Sequence, residues 1–410
     1  MKQAPVRERD NITSQRGENM LRIWAAVLVA TLTGASPVFA QTGKVKIGFV
    51  NTFSGPNAFI GNDERDGFEL ALDHLGRKMG GLDVEMFYED DQMKPETGRQ
   101  VTEKLVQANK VDFVSGFNWS NVLLASLKPT VDSKTFLISG NAGPSQIAGE
   151  LCSPFFFSTS WQNDQTPMAL GETLNQRGVK RLYIVAPNYA AGKDMAAGVK
   201  QTFKGEVVGE DYTRWPGTLD FSPELSKVRA ARPDAVWVFY PGAAGAQFIQ
   251  QYAQAGLRGQ IPLYSVFTVD ALTLPLIGDL ALGHLSTQSW VQDIDNPTNK
   301  RFVADFRKKY GRYPSYYSAQ HYDAAMLIDS AVRAVKGNLA DKDAIRDALR
   351  KADFTSVRGK FAFNKNHFPI QDFYLQEVIK NDAGEYTMRK IAVVLQDHKD
   401  SYAAKCTMTW

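Results

Sequence analysis

Short apolar runs bounded by turn residues alternate along the chain with longer stretches in which apolar positions recur every three or four residues. The first pattern is that of strands buried on both faces, and the second that of amphipathic helices. Residues 45–50 read as a strand, 62–78 as a helix with Phe68, Leu72 and Leu75 on one face, and 83–89 as a strand again. A helix over 97–108, a strand over 111–115, a helix over 120–131 and a short strand over 135–139 follow. Such alternation predicts a parallel sheet covered by helices on both sides.

A second series begins after the apolar run Phe155-Phe156-Phe157 and the loop 158–163. Helices over 164–177, 193–203, 222–231 and 243–255 interleave with strands over 181–186, 206–212, 235–240 and 261–265. The fold class is therefore α/β, with two Rossmann-like lobes built on parallel sheets. Beyond them, 285–291 reads as a strand, 297–310, 316–335 and 342–351 as helices, and 359–394 as β-rich with turns at Asn364-Lys365-Asn366 and Asp382-Ala383-Gly384. These segments are expected to return to the two lobes, so that the chain crosses between them more than once. A hinge of that kind suits closure on a ligand.

The N-terminus changes where the protein is expected to work. Residues Met20 to Ala40 carry Arg22, an apolar run from Ile23 to Leu32, a break at Gly34 and Pro37, and Val38-Phe39-Ala40 as a small-x-small cleavage site. This is read as a secretory signal peptide within a leader over 1–40, with Met1 and Met20 both open as the start. The run is too short to span a bilayer, which takes about 20 apolar residues. A soluble, exported, periplasmic product is expected.

Charge then narrows the partners. The chain holds 47 basic and 44 acidic residues, and residues 1–40 contain five of the former and three of the latter, so the mature chain is almost neutral. It lacks the basic surface that nucleic acid binding requires. In an oxidising compartment the two cysteines, Cys152 and Cys406, read as a disulfide that ties the C-terminal tail to the body; two buried free thiols are the alternative.

Enzyme chemistry finds little support in the motifs. There is no G-x-S-x-G elbow, phosphate loop, G-x-G-x-x-G fingerprint or H-E-x-x-H motif, and the five histidines are not spaced as metal ligands. The acidic cluster Glu89-Asp90-Asp91 reads as a solvated strand end. Neither a cofactor nor a metal is expected.

In doubly wound sheets ligands bind beyond the carboxyl ends of the strands. The loops there are 51–61, carrying Phe53 and Phe59; 117–121, with Trp119 and with Ser120 at the apparent N-cap of the next helix; and 140–145, with Asn141, Ala142 and Gly143. A helix N-terminus and a serine hydroxyl suit a carboxylate without help from Arg or Lys. Plain capping is the competing role for Ser120.

The mature start KVKIGFVNTFSGPNA, the helix ERDGFELALDHL, the strand end YEDD, the helix PETGRQVTEKLV and the segment YGRYPSYYSAQHYDAAMLI together resemble the periplasmic branched-chain amino acid binding protein family. The resemblance implies the type I periplasmic binding protein fold: two α/β lobes joined by a three-stranded hinge, one of 41–160 with 290–357 and the other of 161–289 with 358–410. It also implies a monomeric solute receptor that hands its ligand to an ABC permease. Ser120 and the loop Asn141 to Gly143 match the family's carboxylate-binding groups. Its ammonium-binding acid, however, falls at Phe267, and Ala191-Gly192, preceded by Tyr189, replaces a usual Tyr-Gly.

An unpaired buried ammonium costs several kcal/mol, so an ordinary leucine-type ligand is disfavoured. Trp119, Trp161 and Phe267 supply flat groups able to sandwich a ring, and the sequence also resembles receptors of aromatic acids. An aromatic monocarboxylate of benzoate, phenylacetate or hydroxycinnamate type is the expectation. A branched-chain amino acid, an aliphatic acid, urea or an amide is the alternative, as is a ligand sensor of the same fold.

Overall fold

The computed structural model describes residues 1–4 and 43–409, so the signal-peptide reading at 20–40 lies outside the described residues. Two sheets organise the chain from Gly43 onward. The first has strand order β2-β3-β1-β4-β5-β6, with β1 at Lys44–Asn51, β2 at Lys78–Met79, β3 at Leu82–Asp90, β4 at Phe113–Gly116, β5 at Phe136–Ser139 and β6 at Phe156–Ser158. All its pairings are parallel except β2 with β3. The apolar run at Phe155 to Phe157, to which the sequence pattern assigns no element, supplies most of this sixth strand. Strands β4 and β5 are buried at every position, as a sheet covered on both faces requires.

The second sheet runs β12-β13-β11-β10-β9-β7-β8, with β14 added on β13. Its parallel part comprises β7 (Arg181–Pro187), β8 (Glu206–Thr213), β9 (Ala235–Val238), β10 (Leu263–Ser265) and β11 (Leu285–Gln288). The β-rich tail forms β12 (Ala362–Phe363), β13 (Pro369–Lys380) and β14 (Tyr386–His398), which pair antiparallel. Among the helices, α1 is Ala58–His74, α2 Pro95–Lys104, α3 Ser120–Asp132, α4 Gln165–Gln176, α5 Ala190–Thr202, α6 Ser222–Ala231 and α7 Ala243–Gln254. The later ones are α8 at Pro297–Tyr310, α9 at Tyr316–Ala334 and α10 at Lys342–Lys351. The first helix starts four residues earlier than the sequence pattern suggests, because the apolar turn Ala58 to Gly61 is itself helical.

After serving the second sheet at β11, the chain returns to pack α8 and α9 against α1, then goes back to pair β12 with β13. One buried clamp ties two of the crossings. The Arg358 guanidinium donates to the Thr159 carbonyl at 2.5 Å, the Ser160 carbonyl at 3.2 Å, Gln371 Oε1 at 2.7 Å and Asp323 Oδ2 at 3.0 Å. Asp323 also accepts from the Ser356 hydroxyl and the Val357 N–H, which satisfies the buried carboxylate.

Cys152 and Cys406 are joined, with Cα atoms 5.6 Å apart and a sequence separation of 254. The bond links the segment before β6 to the tail after β14. No helix among the described residues is long and apolar enough to cross a membrane.

Candidate functional site

Each sheet reverses its strand order once, between β1 and β4 in the first and between β7 and β9 in the second. Loops at such points splay apart and open a crevice beyond the strand ends. The two crevices open into one cavity lined by residues from both sheets' strand ends.

From the first lobe it is lined by Asn118, Trp119 and Ser120 after β4 and by Asn141 and Ala142 after β5. Trp161 and Asn163 come from the connection between the lobes. Tyr189, Ala191 and Met195 at the start of α5, Phe239 and Pro241 after β9, Phe267 after β10, and Tyr317 on α9 complete it. None of these side chains is charged.

The sequence-predicted residues Trp119, Ser120, Asn141, Ala142, Trp161, Tyr189 and Phe267 thus lie together. Phe59 and Gly143 do not line the cavity. Phe59 lies within α1 and packs on the core, and Gly143 is pressed so close to the chain at Trp161 that an added Cβ would meet the Trp161 carbonyl oxygen at 1.9 Å. The backbone donors expected from that loop are also engaged: Ala142 N–H donates to the Phe117 carbonyl at 3.0 Å, and Gly143 N–H to Asn163 Oδ1 at 3.3 Å.

Ser120 is the first residue of α3, and the N-cap position is Trp119, without a side-chain capping bond. Capping is therefore not the role of its hydroxyl. Ser120 Oγ accepts from Asn163 Nδ2 at 3.2 Å, which leaves its own proton for a ligand. The first N–H groups of α3 lack intrahelical partners by geometry and carry the positive end of the helix dipole. This end of the cavity can hold an anion.

The neighbouring tryptophan is held in place by a relay. Trp119 Nε1–H donates to Thr52 Oγ1 at 2.8 Å, and the Thr52 hydroxyl donates to Asp91 Oδ1. Asp91 is fully buried, and burial pushes its carboxyl up to about 6. The acidic cluster after β3 is thus not a solvated strand end as its sequence suggests: Asp91 anchors a wall of the cavity, and Asp90 accepts from the Phe53 N–H.

The aromatic groups are arranged differently from a sandwich. Trp161 and Phe267 stack directly on each other, with centroids 4.5 Å apart and planes 28° from parallel. No ring fits between them, so they form one continuous wall. Tyr316 closes its edge at 5.3 Å from Phe267, and Phe239 meets Phe267 edge-on at 6.0 Å. Phe267 holds φ at +57° and Phe117 at +66°, a left-handed backbone that side chains other than Gly rarely adopt. Both sit in strand-end loops, and of the two Phe267 lines the cavity.

The lobes meet across the cleft. Asp194 on α5 accepts from the Ser145 N–H at 2.9 Å, the Ser145 hydroxyl at 2.8 Å and Asn163 Nδ2 at 3.0 Å. Burial raises the Asp194 carboxyl, and those three donors counter it. Asn163 therefore connects the anion-binding serine to the inter-lobe latch. Trp215, after β8, stacks on Tyr189 at 5.3 Å and meets Trp119 of the first lobe at 5.4 Å. Gly242 holds φ at +70° and leaves space for Asn57, whose Oδ1 accepts from the Ala243 N–H at 3.1 Å.

Asp270 is the carboxylate nearest in sequence to Phe267, yet it serves the protein itself. It accepts from the N–H groups of Leu272 and Thr273 and from the Tyr316 hydroxyl at 3.0 Å, and burial pushes it up to about 6. Among the described residues no cluster of His, Cys, Asp and Glu could hold a metal ion.

A family model described as periplasmic binding protein matches residues 44–384. The chain belongs to that family. A Leu/Ile/Val-binding protein homolog 6 of Brucella melitensis is 29% identical over 385 residues, which cover 91% of this chain and 96% of the relative. Among solved structures, an ABC transporter solute-binding protein from R. palustris in complex with benzoate superimposes with a TM-score of 0.84 at 31% identity. That match covers 89% of this chain and 100% of the other. Another from Rhodopseudomonas palustris HaA2, in complex with p-hydroxybenzoic acid, gives a TM-score of 0.83 at 28% identity, covering 88% and 100%. This periplasmic binding protein is therefore of the ABC-type solute-binding kind, in the branched-chain amino acid family, with the α/β two-lobed fold that the sequence pattern predicts.

Sequence reasoning missed Asn118, Asn163, Met195, Phe239, Pro241 and Tyr317 as lining residues. The strand-end rule applied to β4 and β9 reaches Asn118, Phe239 and Pro241. Asn163 sits in the inter-lobe loop and Met195 one turn into α5, where a strand-end rule is silent. Tyr317 belongs to α9, which returns from far along the chain, and no local pattern announces it.

Proposed function

We propose that this protein captures an aromatic monocarboxylate in the cleft and presents the closed form to an ABC permease. The observation that carries this reading is the lining of the cavity: aromatic walls, a serine hydroxyl and a helix N-terminus for an anion, and no charged side chain. An α-ammonium group in the same place would be buried without a counter-charge, at a cost of several kcal/mol. That weighs against a branched-chain amino acid despite the names of the Brucella relatives. Urea and simple amides would leave the Trp161–Phe267 wall without a partner surface, and an aliphatic acid would forgo the ring contacts that wall offers.

The benzoate and p-hydroxybenzoate complexes of the two related receptors support the assignment. The units that close are residues 41–160 with 290–357 and residues 161–289 with 358–410, acting as a monomer in the periplasm after removal of a signal peptide. The protein performs no chemistry on its ligand.

Isothermal titration against leucine, isoleucine, valine, benzoate, phenylacetate and a hydroxycinnamate tests the reading. Binding of an aromatic acid with silent amino acids is expected. Tight leucine binding with silent aromatic acids would refute it.

A further inference from the structure

Three residues that line the cavity each carry a buried side-chain polar atom with no hydrogen-bond partner in the protein: Asn118 Nδ2, Asn141 Oδ1 and Trp161 Nε1. Their residues are 5%, 6% and 2% exposed. A buried polar group left unpaired is costly, so three in one cavity describe the group that fills it.

The orientation of the two amides follows from their own bonds. Asn141 Nδ2 donates to the Asn118 carbonyl at 2.9 Å and to Asn118 Oδ1 at 2.7 Å. Those bonds commit the Asn118 oxygen to Asn141, which leaves Asn118 Nδ2 as a spare donor and Asn141 Oδ1 as a spare acceptor.

A carboxylate offers acceptors only. It can take hydrogen bonds from the Ser120 hydroxyl and from the orphan donors, but it cannot satisfy Asn141 Oδ1, which it would repel. An unsubstituted benzoate would leave that oxygen desolvated and unpaired. A ring hydroxyl both donates and accepts, and so complements Asn141 Oδ1 and Asn118 Nδ2 together. An ammonium donor is disfavoured by the uncharged lining. We propose that the ligand is a hydroxylated aromatic acid and that Asn141, oriented by Asn118, selects its ring hydroxyl. The inference rests on the aromatic-acid reading and adds the ligand's second functional group.

The test is titration of the dialysed full chain with benzoate, with the three monohydroxybenzoates, and with the matching fluorobenzoates, in which fluorine nearly matches hydroxyl in size but carries no proton. One hydroxy isomer should bind about 10- to 100-fold more tightly than its fluoro counterpart, the range expected when a built hydrogen bond is lost. Asn141→Ala, with folding checked by its thermal melt, should reduce that ratio to near unity. Hydroxy isomers that bind no more tightly than their fluoro counterparts, while the fluorobenzoates and benzoate bind, would overturn this inference and leave the aromatic-acid reading standing. Should no aromatic acid bind, both fall.

Discussion

Replacing Ser120 by alanine separates anion binding from folding. In the protein the hydroxyl makes one bond, as acceptor from Asn163 Nδ2 at 3.2 Å. Asn163 keeps its bond to Asp194 at 3.0 Å and its acceptor role toward the Gly143 N–H, so the structural loss is that of one long neutral bond, about 0.5–1 kcal/mol. For a chain of this size that lowers Tm by about 1 °C. The loss to a bound carboxylate is larger. A hydrogen bond to a charged group contributes about 1.5–3 kcal/mol, so Ser120→Ala should weaken binding about 10- to 150-fold. Ser120→Thr, which keeps the hydroxyl, should retain most of the affinity. Titration of both variants with the tightest ligand from the panel, beside their thermal melts, gives the comparison. Unchanged affinity in Ser120→Ala would remove this hydroxyl from the site. An equal loss in Ser120→Thr would show that shape rather than the hydroxyl matters.

Trp215 joins Tyr189 to Trp119 across the cleft, so Trp215→Ala should accelerate ligand release more than it slows association, as stopped-flow fluorescence would record; unchanged release would exclude Trp215 from closure. Reduction of the Cys152–Cys406 bond, or Cys406→Ser, frees a very long loop and should cost about 2–5 kcal/mol, seen as a fall in Tm of about 3–6 °C with and without reductant; identical melts would refute a stabilising role. Asp270 titrates near 6 in the folded chain and near 4 unfolded, so between those values the folded state holds the extra proton and stability falls as pH rises. Asp270→Asn lacks that titration and should therefore gain in Tm relative to the wild type between pH 4.5 and pH 7, whereas parallel pH profiles would show that Asp270 titrates alike in both states.

Much of the fold was legible because buried parallel strands are short apolar runs and the helices between them repeat their apolar positions. The limits of α8 and α10 agree with the pattern to the residue, since Asn296 and Asp341 cap them with side-chain bonds to the Asn299 and Ala344 N–H groups. Strand β6 was missed because an apolar run of three aromatics carries no period of its own. The strand-end rule found Trp119, Ser120 and Asn141, whose positions follow from the local order of strand, loop and helix. Phe59, which the same rule suggests, lies within α1, half-buried against the core. The acidic stretch Glu89-Asp90-Asp91 reads as solvated in the sequence, whereas the burial of Asp91 depends on Thr52 and Trp119 arriving from two other loops.

By itself, then, the sequence determined the order of elements, the near-neutral charge and the serine at a helix start, because each depends on neighbours along the chain. Only the tertiary structure decided that Trp161 and Phe267 form one wall instead of two, that Asn163 ties Ser120 to Asp194, and that Asn118 and Asn141 are left with one spare donor and one spare acceptor. These depend on groups from separate strand ends meeting in one cavity. Hydrogen-bond balance there is a sum over all of them, which no single stretch of sequence contains.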